Sequence, residues 1–515
     1  MPKWFNIAGP CQPDIHYMLP PTARLPGLER LIEQRGYFVI HAPRQTGKTT
    51  AMLALAQQLT ASGRYTAIMV SAEVGQPFSH DPAKAEIAIL ESWRQAARAW
   101  LPSELQPPNW PQVEAGRIGA ALQAWCLASP RPFVIFIDEI DALMDTALIT
   151  MLRQLRDGYP RRPLNFPHAL ALIGLRDVRD YKVASGGSTR LQTASPFNIK
   201  VESLTLRNFD REEVTQLYEQ HTAATGQVLT PAAIDLAFTL TQGQPWLVNA
   251  LARQVVEVLV PDGKTTIVPD HIHEAKEALI QRQDTHLDSL AERLREDRIR
   301  AIIEPMLAGQ SLPVIPNEDL QYVLDLGLCR LANGGGLVIA NPIYREVLPR
   351  VLARVPQASL PMMSPSWLND AGQLLPDALL TAFLDFWRQH GEPLLKSAPY
   401  HEIAPHLVMM AFLHRVVNGG GTLEREYAIG SDRMDLCLRY GKVILGIELK
   451  VWRPGRPDPL KVGMVQLDKY LTGLGLDTVW LVIFDQRPQI PPIAERTTTE
   501  IATTENGRSI TVIRG

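Results

Sequence analysis

Apolar positions along this chain fall into short continuous runs separated by helical patterns. Tyr37 to His41 (YFVIH), Tyr65 to Ser71 (YTAIMVS), Pro132 to Asp138 (PFVIFID) and Ala169 to Leu175 are four such runs. They are too short for helices and lack the alternation of half-exposed strands. Strands buried on both faces of a parallel sheet have this look. Between them the pattern predicts helices over Leu25 to Gln34, Thr49 to Ser62, Pro82 to Trp100, Val113 to Ala128 and Asp145 to Asp157. Strands alternating with helices predict a parallel α/β sheet.

The pattern then changes. Residues 186–197 (GGSTRLQTASPF) read as a loop, and Asp210 to Val260 as helical. Asp210 with Glu213 makes a capping box, and Thr230-Pro231 opens a second helix. Residues 265–308 stay helical and charged. A helix over Asn317 to Leu326 ends at Gly327, and strands over Leu328 to Leu331 and Leu337 to Ala340 flank a Gly-rich turn. That order predicts a winged helix. The Pro- and Ser-rich stretch 356–372 reads as a linker. Two helices follow, Pro376 to His390 and Tyr400 to Val417, then short strands with one helix. The expected domains are 1–205 (α/β core), 206–290 (helical lid), 291–355 (winged helix), 356–375 (linker) and 376–515 (a small mixed α/β domain).

At 515 residues the chain is too long for one ordinary core. Its 46% hydrophobic and 20% charged residues are those of a soluble globular protein. A formal net charge of -3 argues against non-specific coating of nucleic acid, so any such contact must use a local basic patch. Cys11, Cys126, Cys329 and Cys437 share no metal-ligand spacing, which suits a reducing compartment. The first residues lack a signal-peptide core, and no apolar run approaches the ~20 residues of a membrane span. A cytoplasmic chain without a membrane partner is expected.

Candidate chemistry begins in Gly36 to Thr50, GYFVIHAPRQTGKTT. Strand, tight loop and helix start are the context in which Gly47-Lys48-Thr49 reads as the second half of a P-loop. Backbone N–H groups at a helix N-terminus converge on a phosphate. Ala42, Pro43, Arg44, Gln45, Thr46, Gly47, Lys48, Thr49 and Thr50 would line a nucleoside triphosphate. Lys48 would reach the β- and γ-phosphates, and the Thr49 hydroxyl would ligate Mg²⁺. Ala42 departs from the motif's first glycine but is still small. Asp138 and Glu139 end a buried strand, where ligands of open α/β sheets bind. Asp138 would hold Mg²⁺ through water and Glu139 would polarise the attacking water, whereas Asp141 reads as a cap or a solvated residue. Arg176, after the next strand, is placed to report on the γ-phosphate or to form a surface ion pair.

Through APRQTGKTT, VIFIDEID, LIGLRD and TQGQPWLV, residues 1–350 resemble the AAA+ superfamily, specifically its STAND-type branch with the archaeal-type ATPases. The resemblance implies ATP with Mg²⁺, a lid whose G-x-P motif is Gly243-Gln244-Pro245 at the nucleotide, and a winged helix after it. In relatives that winged helix often regulates the switch. Here its helix EDLQYVLDLG is acidic and would repel DNA.

The C-terminal region carries separate chemistry. Arg433 to Leu438 and Val443 to Val451 read as a hairpin. Glu448 and Lys450, two apart, project from one face, and Asp435 can face them from the adjoining strand. Two carboxylates and a lysine on an apolar hairpin either form an internal salt bridge or bind something. They can hold Mg²⁺ beside a scissile phosphate while the lysine orients water. The segment resembles the PD-(D/E)XK nuclease superfamily, with Asp435 and Glu448-Leu449-Lys450 at its motif positions and Gln466 and Tyr470 matching the Gln and Tyr of the next helix. Glu402, Glu424 or Glu426 would supply the further acid of many relatives. Arg453, Arg456 and Lys461 either grip phosphate or sit on a solvated loop. His390, His401, His406 and His414 lack ligand spacing.

These resemblances imply an ATP-regulated nuclease acting on DNA rather than RNA, of the kind found in prokaryotic defence or mobile elements. The alternative is an ATP-driven switch or scaffold whose C-terminal domain only binds nucleic acid or a partner. A homo-oligomer and a protein trigger are compatible with either.

Overall fold

A computed structural model describes residues 3–175, 197, 199–282, 292–307, 312, 314–332, 335–352, 365–397, 404–417, 420–429, 432–474, 476 and 478–515. The chain forms two compact units, one of residues 1–282 with 316–342, the other of residues 283–315 with 343–515.

The first unit is built on a five-stranded parallel sheet: β1 (Tyr37–His41), β2 (Thr66–Ser71), β3 (Phe133–Asp138), β4 (Ala169–Gly174) and β5 (Glu202–Thr205), in the order β2-β3-β4-β1-β5. Every residue of β3 and β4 is buried, which is why these strands read as continuous apolar runs. One face is covered by α3 (Pro82–Trp100), α4 (Arg117–Ala128) and α5 (Asp145–Gly158), whose Trp93, Trp125 and Leu155 pack on Tyr37, Ile135 and Leu170. The other face takes α1 (Leu28–Glu33) and α2 (Lys48–Ala61), with Leu31, Met52 and Leu55 against Phe38 and Phe136. Helix α4 starts at Arg117 rather than Val113, because Gly116 stands before it in the left-handed region (φ 69). Strand β5 was not anticipated. Its sequence ESLT is short, polar and only half-buried at the sheet edge. The loop expected at 186–197 lies, but for Phe197, outside the described residues.

Further helices follow in the first unit: α6 (Arg211–Thr225), α7 (Pro231–Thr241), α8 (Pro245–Arg253) and α9 (Pro269–Arg282). The Asp210/Glu213 capping box and the Thr230 cap both form. Gly243 precedes α8 with φ +70, and a Cβ there would lie 1.8 Å from the Phe209 carbonyl oxygen, so only glycine fits. This unit also holds α11 (Asn317–Asp325) and the hairpin β6 (Cys329–Leu331) with β7 (Leu337–Ile339); α10 (Asp297–Leu307) belongs to the second unit.

The second unit also contains α12 (Pro342–Leu352) from Ile343 onward, α13 (Pro376–Ser397), α14 (Ala404–Val417) and a six-stranded mixed sheet. Its strands are β8 (Gly421–Ile429), β9 (Asp432–Tyr440), β10 (Val443–Trp452), β11 (Thr478–Asp485), β12 (Thr498–Thr503) and β13 (Ser509–Arg514). The order is β12-β13-β11-β10-β9-β8. Strands β8, β9 and β10 are antiparallel neighbours, and β11 joins β10 in parallel after the crossover helix α15 (Leu460–Leu474). Leu467 and Leu471 of α15 pack on Met434, Leu481 and Val512. Part of the stretch expected to be linker is packed: Trp367 is buried, 6.0 Å from the Phe412 ring between centroids. Among the described residues no helix is long and apolar enough to cross a membrane.

Candidate functional site

Strand β1 delivers the loop Ala42–Gly47 to the C-terminal edge of the sheet, and α2 begins at Lys48. Gln45 (φ 59) and Gly47 (φ 96) take left-handed conformations that curl the loop. Ala42 is fully buried and its N–H donates to Gly174 O, so the small side chain the sequence supplies in place of glycine is accommodated. Lys48 Nζ donates to Ala42 O at 2.7 Å and Pro43 O at 2.9 Å. Burial lowers its pKa, while Asp138 and Asp141 pull the other way.

The strand order separates β1 from β3 by β4 alone, so the acidic end of β3 comes beside the loop. Thr49 Oγ1 donates to Asp138 Oδ2 at 2.8 Å, and Glu139 N donates to Asp138 Oδ1 at 2.9 Å. Burial raises the pKa of Asp138 against those two hydrogen bonds. Burial, then the charges of Asp141 and Asp138, raise that of Glu139. Glu139 also adopts φ 52, in the left-handed region that few non-glycine residues take. A hydroxyl and a carboxylate in contact beside a half-buried lysine suit Mg²⁺ with a triphosphate. Asp141 neither caps nor faces solvent alone: its Oδ1 accepts from Leu175 N at 3.3 Å, tying the loops after β3 and β4. Thr50 Oγ1 accepts from Cys11 N at 3.1 Å, so its hydroxyl anchors the N-terminal segment. Arg176 lies outside the described residues.

A cavity of about 440 Å³ opens over the P-loop, in the size range of ligand pockets. Glu73 and Glu139 line one side and Pro245, Trp246 and Asn249 of α8 another. Sequence reasoning missed two contributors. Residues 6, 7, 9–11 and 17–21 form part of the wall, and Arg24 lies at the loop. Arg24 is 8% exposed and donates to Thr46 O at 2.8 Å and Arg207 O at 2.7 Å, over the Phe209 ring at 4.6 Å. No local motif marks these residues.

In the second unit the hairpin β9–β10 assembles the expected cluster. Asp435 Oδ2 accepts from Leu449 N at 2.8 Å, and Lys450 Nζ donates to Glu448 Oε1 at 2.6 Å. Glu448 is 1% exposed, and its Oε2 has no hydrogen-bond partner. Burial, then the Asp435 charge, push its pKa up to about 7 against the pull of Lys450. Gln466 on α15 likewise buries an unpartnered Oε1. Orphaned buried acceptors call for a donor or a cation, so the donor set fits Mg²⁺. Among the described residues no group of three or more His, Cys, Asp or Glu gathers as a metal site. Glu424 lies 3.7 Å from Arg439. Glu402 and the side chains of Glu426 and Tyr470 lie outside the described residues. Arg456 and Lys461 are exposed, and the Arg456 carbonyl accepts from Trp452 Nε1 at 3.0 Å. Unanticipated from sequence, Arg487 stacks 3.5 Å over the Trp452 ring.

Residues 38–165 match the family described as "ATPase family associated with various cellular activities (AAA)". The matched stretch holds Lys48, Thr49, Asp138 and Glu139, so the first unit carries an AAA-type ATPase domain. Among solved structures the chain is similar to the Walker-type ATPase PABY2304 of Pyrococcus abyssi, at 12% identity and TM-score 0.47 over 67% of this chain and 99% of that one. It is also similar to the RuvB Holliday junction branch migration motor of Thermotoga maritima, at 15% identity and TM-score 0.34 over 61% and 88%. The ORC2 protein of Aeropyrum pernix follows at 14% identity and TM-score 0.38, over 64% and 92%. No curated protein matches the chain.

Proposed function

We propose that this chain is an ATP-regulated, Mg²⁺-dependent nuclease: its first unit is a switch that binds and hydrolyses ATP, and its second unit hydrolyses phosphodiester bonds, with DNA the favoured substrate. The observation that carries the second half is Glu448, a carboxylate buried with one oxygen unpartnered, beside Asp435 and bonded to Lys450. A buried carboxylate kept half-satisfied costs free energy and is retained where it binds something. Mg²⁺ on Asp435 and Glu448 would act as a Lewis acid toward the scissile phosphate. Lys450 is placed to orient the attacking water and to balance charge, and Gln466 to hold that water or the phosphate. In the ATPase half, Lys48 and the P-loop N–H groups hold the phosphates, Thr49 and Asp138 the metal, and Glu139 the attacking water. The winged-helix reading of α11, β6 and β7, the STAND-type switch, a homo-oligomer, a protein trigger and a role in prokaryotic defence or mobile elements rest on the family resemblances.

The decisive experiment incubates the protein with single- and double-stranded DNA and RNA, with Mg²⁺ or Mn²⁺, with and without ATP. The native chain should cleave, Lys450→Ala should not, and Lys48→Ala should change the ATP response while leaving the cleaving residues intact. Binding without cleavage on every substrate would remove the nuclease reading. A second reading, an ATP-driven switch or scaffold with a non-cleaving platform, is favoured by one observation: the 2.6 Å Lys450–Glu448 contact is already an internal ion pair. On that reading Lys48→Ala alters assembly and Lys450→Ala alters nothing.

A further inference from the structure

Three strands of the first unit's sheet are preceded by an arginine at the same offset. Arg35 stands two residues before β1, Arg64 two before β2 and Arg131 two before β3. The sheet is parallel, so these positions fall on one edge, the edge opposite the P-loop. Arg162, in the turn after α5, reaches the same edge: it donates to Arg35 O and lies 5.3 Å over the Tyr37 ring at the start of β1. Arg161 stands next to it, 5.8 Å over the Phe166 ring ahead of β4. In a chain whose formal net charge is -3, this is a local concentration of cations.

Little within the protein offsets these charges. Among the described residues Arg35, Arg131 and Arg162 form no ion pair. Arg64 pairs with Glu33 at 3.0 Å and Arg161 with Asp157 at 2.6 Å, but all four side chains are at least 40% exposed. Pairs so exposed contribute little and exchange readily. Glu202, at the start of β5, is engaged by Arg30 at 3.6 Å. Burial lowers the pKa of His168, just ahead of β4, and the charges of Arg35 and Arg162 lower it further against its hydrogen bond to Ile32 O.

The arginines are positioned by rings and carbonyls instead of carboxylates. Arg162 lies 3.4 Å over the Tyr159 ring, and Arg131 donates to Thr60 O at 3.3 Å near the end of α2. A guanidinium has five N–H donors, so most of each fork is left for another acceptor. Arg35 takes a left-handed backbone (φ 58) just after α1, where glycine is the unstrained residue, and its side chain is exposed.

Planar forks of this kind match phosphate oxygens bidentately. From β2 through β3 and β4 to β1 the edge spans three strand spacings, about 15 Å. One strand of B-form duplex carries roughly four phosphates over that length. A surface carboxylate would be served by any one cation, whereas a row of forks suits phosphates in a row. We propose that this arginine edge is a second nucleic-acid site, which holds the phosphate backbone without reading bases. It shares no residue with the P-loop or with the Glu448 cluster, and it does not depend on cleavage by the second unit.

The test measures binding of a fluorescently labelled random-sequence DNA duplex, and of single-stranded DNA and RNA, to the full chain across salt concentrations. EDTA is present to prevent metal-dependent cleavage. Arg35→Gln and Arg64→Gln should each weaken all three ligands several-fold and flatten the slope of log affinity against log salt by about one. Arg35→Lys, which keeps the charge, should keep the slope. Arg211→Gln, which removes the same charge from α6, should change neither quantity. ATP binding, unchanged in every variant, reports that the first unit is folded; should Arg35→Gln lose it, Arg64→Gln with Arg161→Gln gives the same reading from exposed positions. Native affinity and slope in the Arg35→Gln and Arg64→Gln variants would overturn the assignment. So would an equal loss in Arg211→Gln, or capture by phosphatidylserine vesicles with no binding of nucleic acid.

Discussion

Gly327, at the turn ending α11, lies against Pro43 of the P-loop: a Cβ at 327 would stand 2.7 Å from the proline's Cβ and Cγ. Both belong to the first unit. Gly327→Ala must therefore displace the phosphate loop as well as strain a φ of +71. Gly335→Ala carries only the strain, since φ is +80 and nothing lies within 4 Å. We expect about 1 kcal/mol of destabilisation at 335, and at 327 that loss plus a several-fold weakening of ATP binding. Equal ATP affinity in the two variants, by titration calorimetry, would show that the contact does not bear on the loop.

Thr49 and Asp138 are held together by a 2.8 Å hydrogen bond. Thr49→Ala and Asp138→Asn should each cut ATP hydrolysis by 10²-fold or more and raise the Mg²⁺ concentration needed for it. Glu139→Gln should abolish hydrolysis while preserving ATP binding, because it removes the carboxylate charge and keeps the shape. A phosphate-release assay across Mg²⁺ concentrations, paired with nucleotide binding, separates the two behaviours.

Arg24 joins the P-loop carbonyl of Thr46 to the Arg207 carbonyl just ahead of α6. Arg24→Ala leaves two acceptors short of a donor and empties the space over Phe209, a loss of about 2–4 kcal/mol in the first unit. Arg24→Lys keeps the charge but cannot span both carbonyls with a planar fork, and should recover less than half of that. Urea unfolding reads the stability; full recovery by lysine would argue against the bridging role.

Glu448 predicts a pH dependence. Its folded pKa of about 7 lies above its ordinary 4.5, so the stability it contributes is complete below about pH 4.5 and is lost as pH rises through 7. Metal-free protein should lose up to about 3 kcal/mol from this group between pH 4.5 and 8, and Glu448→Gln should flatten the slope. Mg²⁺ should restore stability at pH 8 in the native chain alone. Hydrogen exchange at the β10 amides, with chelator and then with Mg²⁺, measures this; an identical pH slope in Glu448→Gln would refute it.

Much of the first unit was legible because its signals are local. Strands β1 to β4 are runs buried on both faces, and the Asp210/Glu213 and Thr230 caps are three-residue relationships. β5 escaped because an edge strand needs no apolar run. The partners of Thr50 and Asp141, Cys11 and Leu175, come from distant segments that no local pattern names.

The sequence alone determined the P-loop, the acidic end of β3 and the Asp435, Glu448, Lys450 set, since each lies within one turn or one hairpin whose geometry the backbone dictates. Only the tertiary structure decided that β4 lies between β1 and β3, that Arg24 holds the loop, and that Arg162 reaches Arg35. Those relationships join residues as far as 183 positions apart, and periodicity carries no information about which segments a folded chain will bring together.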